Sequence, residues 1–139
     1  MSIYWDENKK IGVPTIDEQH EQLFLQFEKL SRAVIEGESI EGIGKLLSYL
    51  KEYAVTHFTD EENLMVLYKY PGLEEQRRQH AVYKENIDNL TDMLIRGVPI
   101  REIAIKIDAA LIRYFINHVR NFDTQIADFI KPKTSNRFK

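Results

Sequence analysis

The four histidines of this chain are the residues best suited to chemistry, and two of them precede a carboxylate at a short spacing. They are His20, His57, His80 and His118, about one for each helical pattern in the chain. Glu61 follows His57 by four residues, and Asp123 follows His118 by five. Helical bundles hold pairs of iron or manganese ions with imidazole and carboxylate groups on facing helices. The set therefore predicts a two-metal centre.

Helix geometry favours Glu61 as the carboxylate that shares a centre with His57. In an α-helix, residue i+4 lies about 40° around from residue i and one turn along. Asp60 competes at i+3, about 60° away on the other side, whereas Glu62 at i+5 is expected to point away. The apolar stripe of this helix includes His57 and Glu61, which favours Glu61. The alternative is that His57 and Glu61 form a simple pair on the helix surface.

Asp123 can share a site with His118 only if its helix is distorted. Five residues of regular α-helix correspond to about 140° of rotation, which separates the two side chains. A π-bulge would bring residue i+5 onto the same face, and such bulges occur frequently at functional sites. We therefore predict a π-bulge, or an equivalent distortion, between residues 115 and 124. The alternative is an unbroken α-helix with Asp123 on the surface.

The other two histidines, His20 and His80, also lie on apolar helix faces. A single histidine on such a face is usually a hydrogen-bonded core residue. Four inward-facing histidines without another basic partner need a common explanation, because buried polar groups must be satisfied. A metal centre would satisfy several of them at once, so we favour that explanation.

Composition excludes other kinds of site. The chain has no cysteine, which excludes disulfides, thiolate-bound zinc and iron–sulfur clusters and leaves N and O ligands for any metal. Its 139 residues, 43% hydrophobic and 29% charged, predict one globular domain over residues 1–139. The net charge of -3 gives no reason to expect a nucleic-acid partner. Without a signal pattern or a long apolar run, we expect a cytoplasmic protein with no membrane contact.

Four helices should position these residues. Apolar residues at helical spacing, ended by Gly or Pro, predict helices over about 16–36, 40–68, 73–96 and 99–131. Thr15 and Glu18 are expected to form a capping box at the first helix. Residues 1–14 should form an extended arm and residues 132–139 a mobile tail. With no strand alternation and no obvious internal repeat, the predicted fold is an all-α, up-down-up-down four-helix bundle with an extended N-terminal arm.

The combination of these motifs resembles the hemerythrins, specifically the single-domain bacterial hemerythrins. The resemblance covers about residues 3 to 130. The matching stretches are Trp5, Ile16-Asp-Glu-Gln-His20, His57-Phe-Thr-Asp-Glu61-Glu-Asn-Leu-Met65, Tyr70-Pro71, His80 with Tyr83, and Asn117-His118 with Asp123.

The resemblance implies two non-heme iron ions joined by a bridging oxo or hydroxo group. In the family, five histidines and two bridging carboxylates hold the irons, and one iron keeps an open position for dioxygen. By motif, the ligands would be His20 and His57 at the open iron, His80 and His118 at the other, and Glu61 and Asp123 as bridges.

One ligand departs from the family's pattern. The third helix of the family carries His-x-x-x-His, but here Gln76 stands at the earlier position, four residues before His80. The other alignment would make His80 the first of the pair and Lys84 the second. We prefer Gln76, because Tyr83 then falls where the family places an aromatic residue. A neutral amide oxygen can also bind a hard metal, whereas a lysine ammonium would be repelled.

The resemblance implies reversible dioxygen binding for transport, storage or sensing, in a dry pocket that protects the bound oxygen. The candidates to line this pocket are Leu23, Phe24, Phe58, Leu64, Tyr114 and Phe115. Phe115 would narrow the pocket, and the phenol of Tyr114 could form a hydrogen bond near the ligand.

Two other functions stay open at this point. If Gln76 does not bind iron, an extra open position would suit a diiron oxidase, a peroxidase-like enzyme or a protein that handles nitric oxide. The third hypothesis is a metal-free or single-metal remnant that serves as an interaction domain.

Overall fold

The computed structural model describes residues 10–134, and it describes side chains for residues 10–132. This part of the chain is helical apart from short connections and contains no strand. The first three helices are α1 (Pro14–Ile35), α2 (Ile40–Leu67) and α3 (Leu73–Ile95). The fourth, α4, runs continuously from 100 to 134. It joins the α segments Ile100–Lys106, Tyr114–His118 and Thr124–Thr134 through the π segments Ile107–Arg113 and Val119–Asp123.

The four helices form the predicted all-α up-down-up-down bundle, in which α1 and α3 each pack against both α2 and α4. Most of the predicted arm (residues 1–9) and tail (residues 135–139) lies outside the described residues. α4 continues through Pro132 rather than ending before it. Within the described part of the chain, no helix has the length and apolar character needed to cross a bilayer.

The capping box predicted at the start of α1 is wrong. The helix begins at Pro14, one residue before Thr15, and no side chain caps it. Proline suits this position because the N–H that it lacks would have no partner in the first turn. Asp17 instead accepts hydrogen bonds from the backbone N–H groups of Ile11 and Gly12, at 2.7 and 3.0 Å. Its carboxylate therefore secures the chain that enters the helix.

The distortion predicted between residues 115 and 124 is confirmed as the π segment Val119–Asp123. A π turn closes its hydrogen bonds from residue i to i+5, so it accommodates one more residue than an α turn. His118 and Asp123 consequently share a buried face, with exposures of 4% and 0%. The second π segment, Ile107–Arg113, was not predicted.

The α1–α2 and α3–α4 hairpins repeat one pattern, which was not obvious from the sequence. His80 lies 60 positions after His20, and Gly97 lies 60 positions after Gly37. Both glycines adopt left-handed backbone angles, with φ of 73° and 80°. Each lies just after its helix, where such an angle favours glycine over residues with a side chain. The two turns therefore reverse the chain in the same way.

The offset between the hairpins grows by one residue at each π segment. It is 60 before α4 is distorted, 61 between His57 and His118, and 62 between Glu61 and Asp123. Each π segment thus absorbs one extra residue of α4. The histidine and the carboxylate of the second hairpin stay in register with those of the first.

Candidate metal centre

The four histidines and two of the carboxylates meet inside the bundle, and none of the six side chains is more than 4% exposed. Every helix contributes: His20 from α1, His57 and Glu61 from α2, His80 from α3, and His118 and Asp123 from α4. Their potential ligand atoms form two groups that share Glu61. One group is His20, His57, Glu61 and Asp123, and the other is Glu61, His80 and His118. Within each group these atoms lie within 4.8 Å of one another.

The two oxygens of Glu61 face different pairs of histidines. Oε2 lies 3.3 Å from Nε2 of His57 and 3.9 Å from Nε2 of His20. Oε1 lies 2.9 Å from Nε2 of His80 and 3.9 Å from Nε2 of His118. This division is the one that a bridging carboxylate requires.

Asp123 is divided in the same way. Its Oδ2 lies 3.1 Å from Nε2 of His20, and its Oδ1 lies 3.2 Å from Nε2 of His118. The π segment between His118 and Asp123 makes this placement possible. The structure therefore brings together the six side chains that sequence analysis assigned to a common centre.

Several buried polar atoms of the centre have no hydrogen-bond partner among the described residues. They are both ring nitrogens of His20 and of His118, Nε2 of His57, Oε2 of Glu61, and both carboxylate oxygens of Asp123. A buried polar atom without a partner costs about 1–3 kcal/mol. Cations bound between the rings and the carboxylates would satisfy many of these atoms, and a mixed N and O donor set suits iron or manganese. The residues therefore fit a pair of metal ions.

A chain of hydrogen bonds orients His57. Its Nδ1–H donates to Oε1 of Gln19 on α1 at 2.8 Å, and Nε2 of Gln19 donates to Oδ2 of Asp60 at 2.7 Å. A metal-binding histidine commonly uses its second ring nitrogen in this way, which fixes the ring and its tautomer. Nε2 of His57 is left free to face Glu61. Asp60, the competitor of Glu61, therefore supports the centre from outside.

A carboxylate orients His80. Nδ1 of His80 lies 2.7 Å from Oε2 of Glu62, and the other oxygen of Glu62 lies 3.4 Å from Nε of Arg77. Glu62 belongs to neither group of ligand atoms, but it contacts the histidine of the next helix. The roles of Gln19 and Glu62 were not predicted from the sequence. The only available signal was that each adjoins a candidate ligand in the chain.

Gln76 is buried, with 1% exposure, one turn before His80 on α3. Neither its amide nitrogen nor its amide oxygen has a hydrogen-bond partner among the described residues. A buried amide in this state is open to binding a cation through its oxygen. Ligation by Gln76 stays a prediction.

The electrostatics of the centre couple its acids to its histidines. Burial would raise the pKa of Glu61, but the charge of His57 and hydrogen bonds from the surrounding histidines hold that pKa well below its ordinary value. Burial lowers the pKa of His118, but Asp123 and Glu61 outweigh it and raise this pKa to about 10. Glu61 is therefore ionised at neutral pH and attracts cations.

Aromatic rings enclose the histidines. The ring centroid of Phe115 lies 5.4 Å from that of His20 and 6.1 Å from that of His57. Phe58 stacks on His80 with centroids 4.0 Å apart. Phe24 packs against Phe115 at 5.7 Å. These three predicted pocket residues thus form an apolar wall around the centre.

The other three predicted pocket residues are less directly placed. Leu23 is fully buried in the core, and Leu64 is partly buried against it. The hydroxyl of Tyr114 donates to Oε1 of Gln79 on α3 at 2.7 Å. Tyr83 was not predicted for the pocket, yet it is fully buried against Phe58 and Phe115. The roles of these residues around a ligand stay predictions.

Comparison with known proteins agrees with this geometry. Residues 11–128 match the Hemerythrin HHE cation binding domain. A bacteriohemerythrin of Stenotrophomonas maltophilia (strain R551-3) is 27% identical over 131 residues, which cover 93% of this chain and 82% of that protein. A bacteriohemerythrin of Pseudomonas aeruginosa (strain LESB58) is 23% identical over 137 residues, covering 99% and 87%. A myohemerythrin of Theromyzon tessulatum is 27% identical over 119 residues, covering 86% of each chain. Because the domain match spans most of the sequence and includes all six clustered residues, this chain belongs to the hemerythrin family.

Proposed function

We propose that this protein is a non-heme diiron protein that binds dioxygen reversibly, for transport, storage or sensing. Membership of the hemerythrin family supports a diiron protein of the oxygen-binding type. The observation that carries the proposal is the position of Glu61, each of whose oxygens faces a different pair of buried histidines.

The roles of the ligands are assigned by analogy with the family. His20 and His57 would hold the ion with an open position, His80 and His118 with the amide oxygen of Gln76 would hold the other, and Glu61 and Asp123 would contribute to both. When bound, the two irons with their oxo or hydroxo bridge supply the reversible redox chemistry. Gln19 and Glu62 keep two of the imidazole rings in the orientation that the ions require.

The chain also contributes a dry environment. Phe24, Phe58 and Phe115 are each at most 2% exposed and surround the histidines. Such rings exclude water, which slows the irreversible oxidation of a reduced metal centre. Leu23, Leu64 and Tyr114 complete the proposed pocket wall.

Anaerobic reconstitution with ferrous iron tests this function. We expect about two irons per chain, as in carboxylate-bridged bundles. A visible charge-transfer band should appear with oxygen and disappear when oxygen is removed, over repeated cycles. His57→Ala should lose this band, whereas Tyr49→Ala, at an exposed position of the same helix, should keep it. A chain that retains no iron in any redox state would contradict the proposal and favour a metal-free interaction domain.

One observation favours a second function, which is that Gln76 stands where the family has a histidine ligand. If its amide does not bind iron, both ions have open positions. Such a centre suits a diiron oxidase, a peroxidase-like enzyme or a protein that handles nitric oxide. Rapid one-way oxidation by air, without a stable adduct, would support this second function. Gln76→His should then restore a stable adduct.

A further inference from the structure

We propose that Tyr114 is a positioning residue. It keeps the amide of Gln79 away from His118 and so weakens the binding of the metal ion at His80 and His118. The inference rests on the metal centre proposed above, but it does not depend on dioxygen chemistry. It comes from comparing equivalent positions in the two hairpins.

In the first hairpin, a glutamine orients the histidine of the neighbouring helix. Gln19 on α1 accepts a hydrogen bond from Nδ1 of His57 on α2 at 2.8 Å. The equivalent pair in the second hairpin is Gln79 on α3, 60 positions after Gln19, and His118 on α4, 61 positions after His57. The same hydrogen bond is therefore expected between Gln79 and His118.

The second hairpin uses its glutamine differently. Oε1 of Gln79 accepts from the hydroxyl of Tyr114 at 2.7 Å, and Nε2 of Gln79 donates to Glu75 at 3.3 Å. Nδ1 of His118 is buried and has no hydrogen-bond partner among the described residues. The phenol and Glu75 thus secure the amide at both ends, where it does not contact His118.

The tyrosine itself is held in place by its neighbours. Its ring stacks on that of the fully buried Tyr83, with centroids 5.9 Å apart and planes 27° apart. The equivalent residue of the first hairpin is Tyr53, 61 positions before Tyr114. Among the described contacts, Tyr53 makes no hydrogen bond to Gln19, whose oxygen is used by His57. Of the two tyrosines, Tyr114 is thus the one that engages its glutamine.

The consequence concerns the affinity of one ion. A metal-binding histidine nearly always donates its second N–H, and loss of such a partner typically weakens metal binding by about 10- to 100-fold. His118 lacks this partner, and its ion also has Gln76 where the family has a histidine. The ion at His80 and His118 should therefore be bound less tightly than it would be if Gln79 accepted a hydrogen bond from Nδ1 of His118.

The test is the rate at which the anaerobic, iron-loaded chain loses iron to a chelator. Tyr114→Phe keeps the ring but frees Gln79, so one of the two release phases should slow by about 10-fold or more while the other stays unchanged. Tyr53→Phe is the matched control and should leave both phases unchanged. In a Gln79→Leu background, Tyr114→Phe should have no effect, because no amide remains to reach His118.

A second readout separates positioning from general stability. In the protein loaded with zinc, ¹⁵N-labelled histidine spectra of Tyr114→Phe should show a slowly exchanging Nδ1–H on His118 that the wild type lacks. Equal release rates for Tyr114→Phe and Tyr53→Phe, or the same slowing without Gln79, would overturn the inference. If the wild type holds iron but forms no reversible oxygen adduct, only the proposed function fails. A wild type that holds no iron would overturn both.

Discussion

The two helical hairpins supply equivalent ligands but surround them differently. Each contributes two histidines and one carboxylate to the centre. Where the first hairpin has Ala54, the second has Phe115, 61 positions later. Where the first has the apolar Ile16, one turn before His20, the second has the polar Gln76, 60 positions later. The ligands themselves are therefore close to two-fold equivalent, and their neighbours are not.

This difference is consistent with the different tasks that we propose for the two ion positions. The ring centroid of Phe115 lies closer to that of His20, at 5.4 Å, than to that of His118, at 6.3 Å. The Phe115 ring therefore faces the pair His20 and His57. Ile16 has no atom that could bind a metal beside His20, whereas Gln76 has an amide one turn before His80. The open coordination site that we propose at His20 and His57 would thus lie beside an apolar wall, which suits a small uncharged ligand.

The largest effect should come from the residue that both groups of ligand atoms share. Among the described residues, Glu61 is the one side chain that belongs to both groups, so we expect Glu61→Ala to lose both irons. Glu52→Ala is the control, because Glu52 is an exposed glutamate of the same helix. Iron analysis after anaerobic loading measures both variants. Two irons retained in Glu61→Ala would show that this carboxylate is no bridge.

α4 has an extra residue at each π segment and α2 has none, so deleting one residue should affect the two helices differently. Deleting Arg120 from the π segment should restore an α-helical turn and leave Asp123 four residues after His118, the spacing of His57 and Glu61. We expect this deletion to retain iron. Deleting Thr59 should abolish iron binding, because α2 is regular and has no extra residue to lose.

The two deletions can be compared by iron content and circular dichroism. Both positions are exposed, so neither deletion removes a core side chain. Equal loss of iron in the two variants would show that the π segment does more than restore register. Equal retention would show that α2 can rearrange, which contradicts the proposed register of the centre.

Much of this arrangement could be predicted from the chain, since helical periodicity and the spacing of His118 and Asp123 led to the bundle and to one π segment. The other π segment was missed because it lies between apolar residues, where one added residue leaves no chemical signal. It becomes visible only when the hairpins are aligned. The contact of Gln19 with His57 was missed for a different reason. It joins residues 38 apart on separate helices, and periodicity describes one helix at a time.

Histidine substitutions at Ile16 and Gln76, the equivalent positions that differ between the hairpins, test the two ion positions separately. Gln76→His adds an imidazole beside the second pair, and we expect tighter retention of that ion with reversible oxygen binding preserved. Ile16→His adds an imidazole one turn before His20, where it should occupy the open position. This variant should keep two irons and lose the oxygen adduct. Iron analysis and visible spectra distinguish these results, and an oxygen adduct in Ile16→His would place the open position elsewhere.

The smallest expected effect concerns the outer partners of the two oriented histidines. Glu62→Gln replaces the carboxylate beside Nδ1 of His80 with a neutral amide that can still accept a hydrogen bond. The ring of His80 should keep its orientation but become a less basic ligand for the metal. Iron at His80 and His118 should then bind up to about 10-fold more weakly. In an Asp60→Asn background, where the amide of residue 60 can donate to residue 19, Gln19→Glu makes the opposite change beside His57 and should strengthen iron binding at His20 and His57. Competition with a chelator measures both affinities. Both substitutions conserve side-chain size. If each one changed the affinity of both iron positions by the same factor, surface charge rather than donation through the imidazole would control iron binding.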